Sequence, residues 1–446
     1  MLRSSMRRVT FGVVAAGAVV IASTAAVAGQ DDGGRHVVRA ALPAGAIEHV
    51  IVIDLENENF ADTFGAASPA TYLNGELLRR GELIPNYFAT SHVSMGNYTS
   101  QISGQATNPS LNNDCLDLTT LAKPPVKGRY NDIAPGTDAA DGQVNGDGCV
   151  FPSPTATTHG ARTIGDQLDA TSDDDRHDDG GPEDREGMTW RMYAEDMGND
   201  PARDGGTPDP LGGTDCAHPA IGGADSTNSA AANDQYATRH NGFMYFHSVI
   251  DDPARCAAHV VPLGTLTVGT DGAHDAFTGH LARDLKHADT TPAFSFISPN
   301  LCNDGHDDPC VDGRPGGLVA ADKWLRVWVP KILRSPAFRQ DGMLVITFDE
   351  AEDDSRACCG SPAPPNVDRA GITGPGGGRV GALVLSPLVR PGSTSRVPYN
   401  HYSLLCSLED AFGLVHLGYA AQPGLACFGS DVYGSAQPVS LIRPDG

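Results

Sequence analysis

Four stretches of this chain are continuously apolar, and each leads into acidic, amide or imidazole side chains. They are His49-Val50-Ile51-Val52-Ile53, Ala293-Phe294-Ser295-Phe296-Ile297, Met343-Leu344-Val345-Ile346-Thr347-Phe348 and Val380-Gly381-Ala382-Leu383-Val384-Leu385. A strand with one wet face alternates polar and apolar residues. A run that does not alternate is covered on both faces, as in a mostly parallel sheet flanked by helices. Helix-like segments lie between these runs, at Thr163 to Ala170, Leu318 to Leu333 and Ser403 to Phe412. In the second of them Leu318, Trp324, Leu325, Trp328, Ile332 and Leu333 fall on roughly one face. The alternation predicts the α/β class, an α/β/α sandwich with a mostly parallel central sheet. Stretches 171–188 and 199–235 are rich in Gly, Asp, Pro and Ser. Strand-like patterns resume after them, so they read as long loop insertions in a single domain over 46–446. Asp173, Asp174, Asp175, Asp178 and Asp179 lack the spacing and terminal Glu of an EF-hand, which makes that segment a solvated loop.

Charge excludes some partners. Lys and Arg total 31 against 55 Asp and Glu, a net charge of −24, and aromatics are 6%. Such a surface attracts neither nucleic acid nor an anionic membrane, and it offers little for base stacking. The first residues read as an address. Arg3, Arg7 and Arg8 precede an apolar stretch from Val9 to about Val27 that ends in Ala26-Val27-Ala28. This pattern predicts a cleaved signal peptide over 1–28, a loose tail over 29–45 and a secreted product with no stable membrane insertion after cleavage. The ten cysteines then imply disulfides, with Cys302/Cys310 and Cys406/Cys427 each close enough to staple a short loop. No C-x-x-C occurs, which argues against a structural zinc cluster.

In an open α/β sheet, ligands bind beyond the carboxyl ends of the strands. Ile53 leads to Glu56 and Asn57, Ile297 to Asn300, Asp304, His306 and Asp307, and Phe348 to Asp349 and Glu350. The fourth run leads, after Arg390-Pro391-Gly392, to Asn400 and His401. Any one of these pieces is ordinarily a helix start, a cap or a turn. Together at one sheet edge, so many carboxylates would repel unless cations neutralised them. The combination therefore predicts a metal centre with oxygen and imidazole ligands.

A nucleophile is sought in Ser91-His92-Val93-Ser94-Met95-Gly96-Asn97-Tyr98. A serine-hydrolase elbow would need Gly where His92 stands. A sulfatase pattern would want Pro and Arg where Gly96 and Tyr98 stand. Asn97, one turn beyond Ser94 if a helix starts there, could aim its amide at a phosphoryl oxygen, with helix-terminal N–H groups adding to that anion site.

Taken together, these segments resemble the bacterial phosphoesterase family that contains phospholipases C and an acid phosphatase branch, within the alkaline phosphatase superfamily. The resemblance rests on His49 to Asn57, Ser94 to Tyr98, Ser298 to Asp307, Ile346 to Glu350, and Arg379 to Gly392 followed by His401, which run in family order. It implies an alkaline phosphatase-like fold. It also implies a metal position surrounded by Glu56, Ser94, Asp349 and Glu350, with Asn57 holding the phosphate or the metal. Asp304, His306 or Asp307, and His401 would line a second position. Ser94 would be the nucleophile and form a phosphoserine, with Asn97 and Asn57 on the phosphoryl oxygens and His401 assisting. The family usually has Pro where this chain has Gly96, and the spacing after Asp304 departs from the D-x-x-x-H of two-metal members. The expected cofactor is one or two divalent ions, calcium or zinc foremost. The expected substrate is a small phosphate ester, with a phospholipid as the alternative. A non-catalytic calcium-binding scaffold is the reading from outside enzymology.

Overall fold

The computed structural model describes residues 45–115, 129–133, 141–155, 159–174, 188–269 and 275–434. The expected signal peptide, most of the tail and most of the Asp-rich stretch 171–188 lie outside the described residues. Eight strands form the central sheet: β1 (His49–Leu55), β2 (Glu82–Ile84), β3 (Trp190–Ala194), β4 (Val260–Pro262), β5 (Phe294–Ser298), β6 (Gly342–Phe348), β7 (Ala382–Leu385) and β8 (Ser393–Thr394). Their spatial order is β8-β2-β7-β6-β1-β5-β3-β4. The five strands from β6 to β4 are mutually parallel. β1 and β5 are buried along almost their whole length and β6 along all of it. Continuous Val, Ile, Leu and Phe runs are the composition that such two-sided burial requires.

The principal helices are α1 (Ser94–Ser103), α2 (Ile164–Asp174), α3 (Gly317–Arg334) and α4 (His401–Phe412). α3 buries Leu318, Trp324, Leu325, Trp328, Ile332 and Leu333. α1 packs against α4 and is tied to β1 by Gln101, whose Nε2 donates to Asp54 Oδ2 at 2.5 Å. The architecture is the expected α/β sandwich around a mostly parallel sheet. Among the described residues no helix is long and apolar enough to cross a membrane.

One expectation is corrected. β7 runs antiparallel to β6, with Thr347 opposite Ala382 and Leu344 opposite Leu385. Its carboxyl end therefore points away from the edge where β1, β5 and β6 end. A continuous apolar run reads the same in either direction, so the pattern cannot reveal the reversal. His401 reaches the site by a return of the chain through residues 386–400.

All ten cysteines are paired: Cys302–Cys310 and Cys406–Cys427 as expected, together with Cys115–Cys149, Cys216–Cys256 and the adjacent Cys358–Cys359. The 199–235 insertion is organised by Arg203. Its Nη1 donates to Asp204 Oδ1 at 2.7 Å and Asp234 Oδ1 at 2.6 Å, and its Nη2 to the carbonyls of Ser229 and Tyr236. A segment that reads as loose loop is thus held by a buried cation.

Glu409 on α4 is fully buried. One carboxyl oxygen accepts from Leu417 N–H at 2.9 Å and the other has no partner. Burial raises its pKa from 4.5 to about 9. The folded state keeps the proton at neutral pH, whereas the unfolded chain loses it near 4.5. This contribution to stability is complete below pH 4.5 and declines as pH rises toward 9. Glu409→Gln should therefore gain melting temperature relative to wild type as pH moves from 5 to 8, measured by calorimetry. An unchanged difference across that range would show that Glu409 is ionised in the fold.

Candidate active site

The strand ends lock together before any side chain acts. Glu56 N–H donates to Asp304 O at 2.9 Å, Asp349 N–H to Leu55 O at 2.8 Å, and Glu58 N–H to Glu350 O at 3.0 Å. Asn57 adopts a left-handed backbone with φ 54°, which Asn tolerates better than most residues. That turn aims its N–H at Asp349 Oδ1, at 3.1 Å, and Glu350 N–H reaches the same oxygen at 2.6 Å. Asp349 Oδ2 is buried with no partner.

Ser94 opens α1 and is only 3% exposed. Its hydroxyl donates to Glu56 Oε2 at 3.0 Å. One helical turn on, Tyr98 OH donates to Glu56 Oε1 at 2.6 Å. The adjacent Met95 N–H donates to Asp114 Oδ1 at 3.0 Å, so a carboxylate takes one amide of the helix start. Gly96 has a local reason. A Cβ there would stand 2.5 Å from Ser91 Oγ and 2.7 Å from Ser91 Cβ, so only glycine lets the 90–93 loop lie this close to α1.

His240, which the sequence did not single out, completes the cluster. Asp304 Oδ2 lies 3.0 Å from His240 Nδ1, and Glu56 Oε1 lies 3.4 Å from Nε2. Asp304 Oδ1 accepts from His306 N–H at 2.8 Å. The two ring nitrogens of His240 thus face two carboxylates, Nδ1 toward Asp304 and Nε2 toward Glu56. Nε2 has no hydrogen-bond partner. Burial first, then the Arg239 charge, holds the His240 pKa well below its usual value and keeps the ring neutral. Burial also raises Glu56 and Asp304 well above the carboxylate range and Asp349 to about 7.

Ligand atoms of Glu56, His240 and Asp304 all lie within 4.8 Å of one another. A divalent ion fits the Glu56, His240 and Asp304 donor set, since it would neutralise carboxylates that burial otherwise forces to hold protons.

The remaining expected residues are placed differently. Asn97 cannot aim its amide at a ligand. Its Oδ1 accepts from Thr90 and Ser91 N–H, and its Nδ2 donates to Ser91 and Val93 carbonyls, pinning the loop before α1. His401 has both ring nitrogens engaged, by Tyr87 OH at 3.0 Å and Asp349 O at 2.7 Å, and burial lowers its pKa to about 4. It braces the Asp349 main chain. His306 faces Arg239 and Asp307 through its two nitrogens. Glu350 turns to His92, with Nδ1 at 2.9 Å from its Oε2. A ring nitrogen has at most one lone pair, so His306 and His401, each engaged at both nitrogens, make poor ligands. Tyr98 was the one missed residue with a signal, since the i+4 position puts it on the face of Ser94. His240 and Arg239 carry no metal or phosphate spacing.

His240→Ala should weaken binding of added zinc by at least about tenfold. His401→Ala should leave metal content intact and cost about 2–4 kcal/mol of stability through lost buried hydrogen bonds and a cavity. Metal analysis and thermal unfolding read the two effects. Loss of metal from His401→Ala alone would reverse the assignment.

The model of the Phosphoesterase family matches residues 70–415. A phosphate-repressible acid phosphatase of Penicillium chrysogenum is 24% identical over 375 residues, covering 84% of this chain and 61% of that protein. An acid phosphatase of Aspergillus fumigatus is 25% identical over 201 residues, covering 45% of this chain and 36% of that one. The chain thus spans less than two thirds of the length of either relative. Among solved structures, a Vibrio parahaemolyticus protein of the alkaline phosphatase superfamily is 11% identical, covering 85% of this chain and 70% of that one with a TM-score of 0.42. With its family model matched from before α1 to beyond α4, the chain belongs to the Phosphoesterase family.

Proposed function

We propose that this chain is a metal-dependent phosphoesterase that hydrolyses small phosphate esters through a phosphoserine at Ser94, most like an acid phosphatase. The observation that carries the reading is the Ser94 hydroxyl, at the start of α1, donating to a buried Glu56 that also faces the free nitrogen of His240. The names of both fungal relatives support the same activity.

Glu56, His240 and Asp304 would hold one divalent cation with Asp349 beside them; the ion would supply Lewis acidity that lowers the serine hydroxyl's pKa. The imidazole favours zinc or iron over calcium. One ion accounts for the free lone pairs, because the ring nitrogens of His306 and His401 are engaged elsewhere. Glu56 Oε2 accepts the Ser94 proton, and Tyr98 OH steadies the other oxygen of that carboxylate. Ser94 Oγ forms a bond to phosphorus as the bond from phosphorus to the ester oxygen breaks, and the proton taken by Glu56 passes to that oxygen, which leaves as the alcohol. A water then gives a proton to Glu56 as its oxygen bonds to phosphorus, the Ser94 Oγ–phosphorus bond breaks, and Glu56 returns that proton to Ser94 as inorganic phosphate leaves. The Asn57 backbone holds Asp349 in place throughout. Five disulfides suit an oxidising, extracytoplasmic setting, and export through residues 1–28 is part of the proposal.

Ser94→Ala should lower kcat on an aryl phosphate by about 10⁴-fold or more with metal content and melting unchanged. Acid-quenched wild type should carry a phosphate mass increment on the peptide containing Ser94. Chelation should abolish turnover, and re-addition of metal should restore it. Near-normal turnover in the folded variant would remove Ser94 from the role of nucleophile.

A further inference from the structure

Arg239 lies in the 3₁₀ turn Thr238–His240, one residue before the imidazole that faces Glu56, and is 4% exposed. A guanidinium carries five N–H donors in a rigid fork and never accepts. Nη2 donates to His306 Nε2 at 3.0 Å, and Nε lies 4.0 Å from Asp114 Oδ2. Nη1 is buried with no acceptor at all.

The fork is held in a defined plane. Because arginine can only donate, His306 Nε2 is the acceptor and its proton sits on Nδ1, within 2.8 Å of Asp307 Oδ1. Asp114, beside Arg239 Nε, accepts through its other oxygen from Met95 N–H, the residue after Ser94, so the guanidinium stands beside the start of α1. A buried donor left unpaired is costly, and an arriving acceptor removes that cost. The carboxylates by themselves repel a phosphate dianion. Asn97, the side chain expected to receive the phosphoryl oxygen, has both amide atoms committed to the loop. Alongside an ion, a fixed cationic donor would offset this repulsion further, and Arg239 is one with a free N–H.

We propose that Arg239 contacts the transferred group directly, with Nη1 donating to a terminal oxygen of a bound phosphoryl or similar tetrahedral oxyanion. The assignment rests on the phosphoesterase reading. It predicts that oxyanion affinity depends on Arg239 even where no turnover occurs.

The test is calorimetric titration of orthovanadate and inorganic phosphate into metal-loaded wild type, Arg239→Gln and Arg239→Lys, with metal content and melting measured alongside. Arg239→Gln should bind both anions about 100-fold more weakly at unchanged metal content. Arg239→Lys should fall between, since an ammonium keeps the charge and loses the fork. Affinity within twofold of wild type in folded, metal-loaded Arg239→Gln would overturn the assignment. If that variant does not fold, Arg239→Lys decides: about tenfold weakening supports the contact, and unchanged affinity overturns it. A wild type that binds neither anion and hydrolyses no ester overturns the phosphoesterase reading itself. Normal wild-type binding with an indifferent Arg239→Gln removes only Arg239.

Discussion

Carboxylates buried at the ends of parallel strands are the constraint around which this protein is built. Glu56, Asp304 and Asp349 each have essentially no exposure, and they stand together because the backbones of β1, β5 and β6 end together. Taking such groups out of water is costly unless charge or protons compensate, and the raised carboxyl pKa values express that cost. The fold tolerates the arrangement through main-chain donors: Asn57 and Glu350 N–H on Asp349, and His306 N–H on Asp304. The proposed cation among Glu56, His240 and Asp304 would offset the charge that these donors do not. Stability and chemistry thus meet in one cluster, since the groups hardest to bury are those poised to bind a metal and a serine.

Much of this was legible in the amino-acid order because sheet burial writes continuous apolar runs and strand ends write their own polar residues. β1, β5 and β6 were readable, with Glu56, Asp304 and Asp349 following them, and so were the bodies of α3 and α4. Direction was not legible: β7 is antiparallel, and an apolar run has no arrow. Side-chain aim was not legible either. Asn97 and His401 are polar residues at suggestive positions, yet Asn97 is spent on the loop before α1 and His401 on Tyr87 OH and Asp349 O. A residue type near a site indicates capability, and only the partners already taken decide whether that capability is free.

The Gly- and Asp-rich insertion shows why His240 and Arg239 escaped detection. Residues 199–235 carry no strand or helix periodicity, but Arg203 gathers Asp204, Asp234 and two carbonyls into a fixed core within them. The chain leaves that core at Tyr236 and delivers Arg239 and His240 beside α1, where Tyr98 stacks on the His240 ring at a centroid distance of 5.4 Å. A long-range ion pair, rather than a local pattern, sets the position of the missing imidazole. Gly96 reflects a similarly local steric demand, the approach of Ser91, which family resemblance alone would have obscured.

The central claim is that a single cation sits among Glu56, His240 and Asp304, within reach of the Ser94 hydroxyl. Anomalous diffraction from crystals of the metal-loaded protein, collected at the edge of the bound element, tests it most directly. The account predicts one strong peak bounded by Glu56, His240 and Asp304. A peak confined to the separate Asp209, Asp215 and His280 group, with none beside Glu56, would contradict it.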